Sequence, residues 1–173
     1  MLISYTSLDF PLGKLYLAAI PEGIVRIIIS PDKSRETGHI LADVTKQFPK
    51  ADFVESANMV VCAQAVEELQ QYFACARTEF TCQICPQGTP FQQKVWEMVK
   101  TIPYGETRTY GKIAEQLGDK RLSRAVGLAN GANPIPIIIP CHRVIGKGDL
   151  LTGYGGGLAM KQYLLQLEGA ILR

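Results

Sequence analysis

No uninterrupted apolar run in the sequence approaches the roughly 20 residues that a membrane span needs. The longest, Leu15 to Ile29, is broken by Pro21-Glu22-Gly23 and carries Arg26. The first residues are strand-like and contain Asp9, so no export signal is expected. There are no internal repeats and no low-complexity tracts. Histidine is scarce, with only His39 and His142. Cys82 and Cys85 have metal-like spacing, but no second pair follows them, so no zinc site is expected. Neither the Walker Gly-Lys-Ser/Thr order nor the dinucleotide G-x-G-x-x-G occurs, which removes the common nucleotide-binding classes. A chain of 173 residues that is 47% hydrophobic and 20% charged is not wholly disordered, and it has room for one domain or two small ones. Five cysteines read as reduced thiols of a cytoplasmic protein, or of a nuclear one if the source is a eukaryote.

The net charge of +2 conceals an asymmetry. Residues 1–86 hold seven Lys/Arg against ten Asp/Glu, and residues 87–173 hold eleven against six. Thirteen of the sixteen glycines fall in the second stretch. Pro86-Gln87-Gly88-Thr89-Pro90 is turn-rich punctuation between the two compositions, so two domains are expected, 1–86 and 87–173. The expected class is α+β: a small α/β domain with a short antiparallel sheet, then a mostly helical domain. In the first, Leu2–Thr6, Leu15–Ala19 and Ile24–Ser30 read as strands. Ser34–Phe48 and Met59–Ala74 read as helices, the second burying Val66, Leu69 and Phe73. Cys62, Cys75, Cys82 and Cys85 read as small core hydrophobes. Nothing in this half converges on chemistry.

In the second half, Thr89, Pro90 and Gln92 start a helix as cap, first residue and capping box, with Phe91, Val95, Trp96 and Val99 facing a core. Thr109 caps a short helix from Tyr110 to Leu117, and Asp119 caps the next, with Leu122, Val126 and Ala129 on one face. Two short helices joined by a tight turn at Gly118 form a helix-turn-helix pattern. The second helix is rich in small residues: Ser123, Ala125, Gly127, Gly131 and Ala132. Small residues allow close approach. They suit a sequence-tolerant contact with the DNA backbone or minor groove, where Lys120, Arg121 and Arg124 meet phosphates. A helix packed closely against its own protein explains the small residues equally, but not the three cations.

The run Asn133-Pro134-Ile135-Pro136-Ile137-Ile138-Ile139-Pro140 reads as a rigid buried segment that delivers Cys141 and His142 to a fixed position. A thiol of ordinary pKa needs a base or a positive charge nearby to become a nucleophile. His142 is adjacent and acts through a water, Arg143 adds positive charge, and a third group should orient the imidazole. Glu168 is the candidate. It ends the last helix, whose apolar stripe is Ala159, Tyr163, Leu164 and Leu167, and a carboxylate there opposes the helix dipole. An exposed acid at a helix end is the alternative. The glycine-rich stretch from Gly153 to Gly157 around Tyr154 suits a wall against a flat ligand, or a flexible surface loop.

Pro140-Cys141-His142-Arg143-Val144 resembles the active-site signature of the O6-alkylguanine-DNA alkyltransferases, the methylated-DNA–protein-cysteine methyltransferases. The resemblance extends through Tyr110, Arg124-Ala125-Val126-Gly127, Asn133-Pro134, the Gly153–Gly157 loop and Glu168-Gly169, about half the chain. It implies that Cys141 accepts the alkyl group, activated through His142 and oriented by Glu168. Tyr110 would contact a flipped guanine and help protonate it, and Arg124 would fill the gap in the duplex. Asn133 would tie the DNA-binding helices to the nucleophile segment. The carbonyls of Cys141 and Val144 would receive the guanine amino group. Tyr154, Gly155 and Gly156 would line the pocket, with the Gly155 N–H facing the guanine oxygen.

A target carbon inside a duplex requires the base to leave the stack. A soft thiolate suits displacement at an alkyl carbon, and protonating the departing guanine improves it as a leaving group. The product is a thioether that nothing here would hydrolyse. The expectation is one turnover per molecule by a monomer without cofactor or metal. Its partner would be double-stranded DNA containing O6-alkylguanine, bound through the minor groove largely without sequence specificity, and no membrane. A helix-turn-helix regulator with an incidental Cys141, or a cysteine hydrolase using Cys141, His142 and Glu168, are the competing classes.

Overall fold

The computed structural model describes residues 1–31, 37–56, 59–148 and 150–170, without the side chains of residues 37–40. The expected helix start at Ser34–Glu36, the His39 side chain and Asp149 lie outside that description. The chain forms two compact units, Met1–Pro86 and Gln87–Arg173.

In the first unit, strands β1 (Leu2–Phe10), β2 (Gly13–Ile20) and β3 (Gly23–Ser30) make an antiparallel meander. β2 is buried along most of its length, while β1 exposes Ser7 and Asp9 on one face. Helix α1 (Thr37–Gln47) leads into a fourth strand, β4 (Asp52–Glu55), which pairs in parallel with β1 and gives the order β3-β2-β1-β4. This strand was not foreseen. It has four residues and two apolar side chains, too short for a periodic signal, and its place comes from pairing with the β1 edge. Ile3, Ala18 and Val25 pack with Val44 of α1.

Helix α2 (Val60–Phe73) packs on β1, β2 and β3. Its buried face is Cys62, Ala65, Leu69 and Tyr72, whereas the expected Val66 and Phe73 are only half-buried. The face is rotated because the wide Tyr72 ring takes the centre, leaving Phe73 to stack on Phe10 at 5.1 Å from the side. Glu68 is also buried on this face. It accepts hydrogen bonds from the backbone N–H groups of Thr81 (2.9 Å) and Cys82 (3.1 Å), tying that segment to the helix. Cys62 and Cys82 are buried, Cys85 half-buried and Cys75 exposed. Burial, with Glu68 nearby, pushes the Cys82 thiol up to about 12, which makes it inert.

The second unit begins with α3 (Pro90–Lys100), whose Thr89–Gln92 capping box is complete and whose Val95, Trp96 and Val99 are buried. Strand β5 (Arg108–Thr109) leads to α4 (Tyr110–Gln116), capped by Thr109. Asp119 caps a 3-10 turn, Lys120–Leu122, rather than the next helix itself. Helix α5 (Ser123–Gly131) continues directly from that turn. The Trp96 indole N–H donates to the Ala129 carbonyl at 2.8 Å, fixing α5 against α3.

A second 3-10 turn, Cys141–Arg143, runs into β6 (Val144–Ile145), which pairs in parallel with β5. Helix α6 (Leu158–Leu167) closes the unit. Its buried residues are Met160, Lys161, Leu164 and Leu165, while Ala159 is exposed and Tyr163 and Leu167 are half-buried. Of the expected stripe only Leu164 is buried, and the buried face is rotated toward Met160, Lys161 and Leu165. No helix among the described residues is long and apolar enough to cross a membrane.

Candidate active site

The segment before Cys141 is braced by one side chain. Asn133 Nδ2 donates to the Ile139 carbonyl at 2.8 Å, and Asn133 Oδ1 accepts from Ile135 N–H at 2.9 Å. Within this loop Ile137 has φ of +76°, a conformation that a β-branched residue adopts only under constraint. Ile135, Ile137 and Ile139 are fully buried, which supplies that constraint. Cys141 N–H donates to the Ile139 carbonyl at 2.7 Å, so the thiol leaves the loop in a fixed direction.

Cys141 is only 4% exposed. Burial pushes its thiol up to about 11, against the opposing pull of Asn133, Lys161 and Tyr154. The resting group is therefore a neutral thiol, and forming a thiolate requires a base. His142 is fully buried, and its Nε2 lies 2.7 Å from Glu168 Oε1. Burial holds the imidazole below the usual histidine range, although Glu168 pulls the other way. A neutral ring that donates Nε2–H to the carboxylate leaves Nδ1 as the acceptor, and Nδ1 is buried with no hydrogen-bond partner among the described residues. The ring is thus oriented and basic on one nitrogen.

Glu168 is buried at the C-cap of α6, and the exposed-acid alternative falls away. Burial by itself would raise its carboxyl. His142 and Arg143 overcome that and hold it down to about 2. Arg143 grips it with a fork, Nε to Oε2 at 2.9 Å and Nη2 to Oε1 at 3.0 Å. Its Nη1 donates to the Ile102 carbonyl at 2.6 Å, and the guanidinium sits 5.8 Å from the Tyr104 ring centroid. The positive charge of Arg143 is thus spent on Glu168, not on Cys141 as its adjacency suggested.

The cation that acts on Cys141 is Lys161, which sequence reasoning missed. It is fully buried on α6, and its Nζ donates to the carbonyls of Val144 (2.6 Å) and Thr152 (2.9 Å). Burial lowers its ammonium to about 8. No local signal marks it, because a lysine at one helical position looks the same whether it faces solvent or a core. Asn130 was also missed. Its Nδ2 donates to the Cys141 carbonyl at 3.2 Å, linking α5 directly to the nucleophile. The Cys141 carbonyl thus accepts from both Asn130 Nδ2 and the Val144 N–H, and the Val144 carbonyl accepts from Lys161.

An open groove of about 860 Å³ runs beside this cluster. It brings together Tyr110, Arg121, Ser123, Arg124, Leu128 and Gly131 with Tyr154 and Gly155 of the glycine-rich stretch. Thr152 Oγ1 and Tyr110 Oη approach to 3.4 Å across it. Lys120, Ala125, Asn133, Val144 and Gly156 do not line it. Neither do Cys141 and His142, which lie behind. Tyr154 belongs to both: it lines the groove, and its hydroxyl is buried near the Cys141 thiol without an aligned hydrogen bond. Among the described residues no cluster of three or more His, Cys, Asp or Glu is arranged to hold a metal ion. A buried thiol with an oriented base, beside a groove flanked by cations, is equipped for nucleophilic attack on an anionic ligand's substituent.

Residues 3–86 match the family described as 6-O-methylguanine DNA methyltransferase, ribonuclease-like domain, and residues 90–170 match the one described as 6-O-methylguanine DNA methyltransferase, DNA binding domain. A methylated-DNA–protein-cysteine methyltransferase of Mycolicibacterium paratuberculosis is 46% identical over 167 residues, 96% of this chain and 93% of the relative. The protein of that name from Methanosarcina acetivorans is 42% identical, over 96% and 98%. Among solved structures, Mycobacterium tuberculosis OGT in complex with DNA aligns with a TM-score of 0.80 at 43% identity, over 96% of this chain and 93% of that one.

Proposed function

The chain belongs to the methylated-DNA–protein-cysteine methyltransferases, and from that premise we propose that it flips O6-alkylguanine out of duplex DNA and moves the alkyl group onto Cys141. As a member it is a DNA-repair methyltransferase that binds DNA and takes an alkyl group onto a cysteine. The observation that supports the assignment to Cys141 is the 2.7 Å contact between His142 Nε2 and Glu168, which leaves Nδ1 of the residue following the thiol as the basic nitrogen.

In this reading DNA lies along α5, minor groove inward, with little sequence preference. Arg124, which makes no ion pair or hydrogen bond among the described residues, enters the stack in place of the extruded base. Small residues at Ser123, Ala125, Gly127 and Gly131 allow the close approach. Lys120 and Arg121 meet phosphates. The guanine occupies the groove against Tyr110, Tyr154 and the Gly155 N–H, its amino group shared by the Cys141 and Val144 carbonyls. Asn133 and Asn130 keep the nucleophile registered to the DNA-binding helix.

His142 Nδ1 takes the thiol proton through a bridging water, while Glu168 stabilises the imidazolium. The Cys141 sulfur attacks the alkyl carbon, an S–C bond forms and the C–O6 bond breaks with its electron pair going to guanine. Tyr110 protonates the departing base, and solvent then restores Tyr110 and deprotonates His142. In sum the thiol proton ends on guanine. The thioether has no route back to a thiol, so each molecule acts once, as a monomer without cofactor. Five free cysteines suit a reducing compartment, the cytoplasm.

The test is incubation with a duplex containing O6-methylguanine, followed by peptide mass spectrometry. One methyl group on the Cys141 peptide in stoichiometric yield is the expected result. Intact DNA binding with an unmodified Cys141 would point to a regulator, and repeated turnover of an ester or amide to a hydrolase; either defeats the proposal.

A further inference from the structure

The basic residues around the helix-turn-helix are not equally available. Glu115 on α4 bridges two lysines, with Oε1 at 3.0 Å from Lys120 Nζ and Oε2 at 3.2 Å from Lys112 Nζ. Asp119 holds Arg121 in a fork, Oδ1 to Nε at 3.0 Å and Oδ2 to Nη2 at 2.9 Å. Arg121 lines the groove, yet it is tied back to this carboxylate. Arg124, one turn further on, pairs with no acid among the described residues. Two carboxylates thus compensate three cations at the approach to the groove and leave the fourth free.

These pairs are solvent-exposed, and such pairs contribute little to holding a fold together. Among the described residues the Glu115 carboxylate has no hydrogen-bond partner besides its two lysines. Their effect falls instead on encounters with a polyanion. A carboxylate beside a cation competes with phosphate for it and also repels the phosphate. Affinity for undamaged duplex comes almost wholly from such contacts, while recognition of one damaged base does not. A repair protein faces a vast excess of undamaged sites, so discrimination improves when the phosphate contribution is kept small.

We propose that Glu115 and Asp119 are specificity-determining residues that restrain Lys112, Lys120 and Arg121 and so weaken binding to undamaged DNA, leaving Arg124 and the base pocket to supply affinity for the lesion. The proposal rests on the repair function given above. The restraint acts on the sequence-independent part of binding and leaves the chemical step alone.

The test compares wild type with Glu115→Gln, Asp119→Asn and the double variant in the full chain. Asn at 119 preserves the cap that the carboxylate makes to Arg121 N–H, at 2.9 Å in the wild type. Binding to an undamaged duplex is followed by fluorescence anisotropy across a salt series. Transfer from a short O6-methylguanine duplex is timed with and without excess undamaged competitor. The double variant should bind undamaged duplex about fivefold to tenfold more tightly at low salt, with the slope of log K against log salt steeper by about one to two. Its transfer rate without competitor should stay within about twofold of wild type, and competitor should slow it more than it slows wild type. Glu115→Gln alone should show part of the effect. Unchanged or weaker binding with an unchanged slope overturns the proposal, as does a change confined to Asp119→Asn with loss of helical signal. A wild-type protein that leaves Cys141 unmodified refutes the repair function itself, a distinct result.

Discussion

Replacing Glu168 by glutamine keeps the side-chain shape and removes the negative charge buried between His142 and Arg143. The carboxylate accepts from Arg143 at 2.9 and 3.0 Å, contacts His142 at 2.7 Å and receives a weaker bond from Gly105 N–H at 3.3 Å. A carboxyl held down to about 2 from an ordinary 4.5 is a difference of about 2.5 pH units. At roughly 1.4 kcal/mol per unit that corresponds to about 3–4 kcal/mol of stability. Breaking a buried ion pair by deleting one partner costs about 3–5 kcal/mol by general experience, so the two routes agree. Glu168→Gln should therefore lose about 3–4 kcal/mol, part of it recoverable by adding Arg143→Met, which removes the stranded cation. Urea unfolding can follow it through Trp96, the chain's single tryptophan, buried in the same unit. The transfer rate should also fall by at least about tenfold, because the imidazole loses its orienting partner. The carboxyl is depressed, so its contribution is complete above about pH 4.5 and fades as the pH falls toward 2. The reasoning is refuted if the variant loses less than about 1 kcal/mol and acid unfolding of the two proteins coincides.

Because burial holds His142 below its ordinary 6.5, the base remains neutral and competent at pH 7. The single-turnover rate should be lost on the acid side only, with a midpoint below 6.5; a midpoint above it contradicts the burial argument. Lys161→Met removes the cation that draws the Cys141 thiol down, so the pH profile of Cys141 alkylation by iodoacetamide should move upward and transfer at neutral pH should slow. An unmoved profile would show that Lys161 only braces the Val144 and Thr152 carbonyls. A Cβ at Gly88 would run into the Trp96 ring, so Gly88→Ala should cost about 1–3 kcal/mol and alter tryptophan emission. Unfolding and emission identical to wild type would mean that the loop yields instead.

Short-range signals were the legible ones. Thr89, Pro90 and Gln92 lie within one turn of each other, and the capping box they form depends on nothing else. The same holds for Thr109 before α4 and for the glycines that end short helices. Faces were less legible: the stripes expected on α2 and α6 were each displaced around the helix, because Tyr72 and Lys161 are buried by neighbours distant in sequence. β4 was missed for the same reason, since its partner edge is supplied by β1.

Local order along the chain was enough to mark where the composition changes, where several helices begin, and that a cysteine and a histidine stand together behind a proline-bounded isoleucine run. The sequence also put Glu168 forward as the imidazole's partner, across 26 positions. Only the tertiary structure decided what charge each group feels. Arg143, next to the pair in sequence, faces Glu168; Lys161, twenty positions from Cys141, supplies the positive field; Asn130 joins the nucleophile to α5. Adjacency along the chain fixes covalent distance, whereas electrostatic influence depends on burial and direction, and those exist only once the segments have packed.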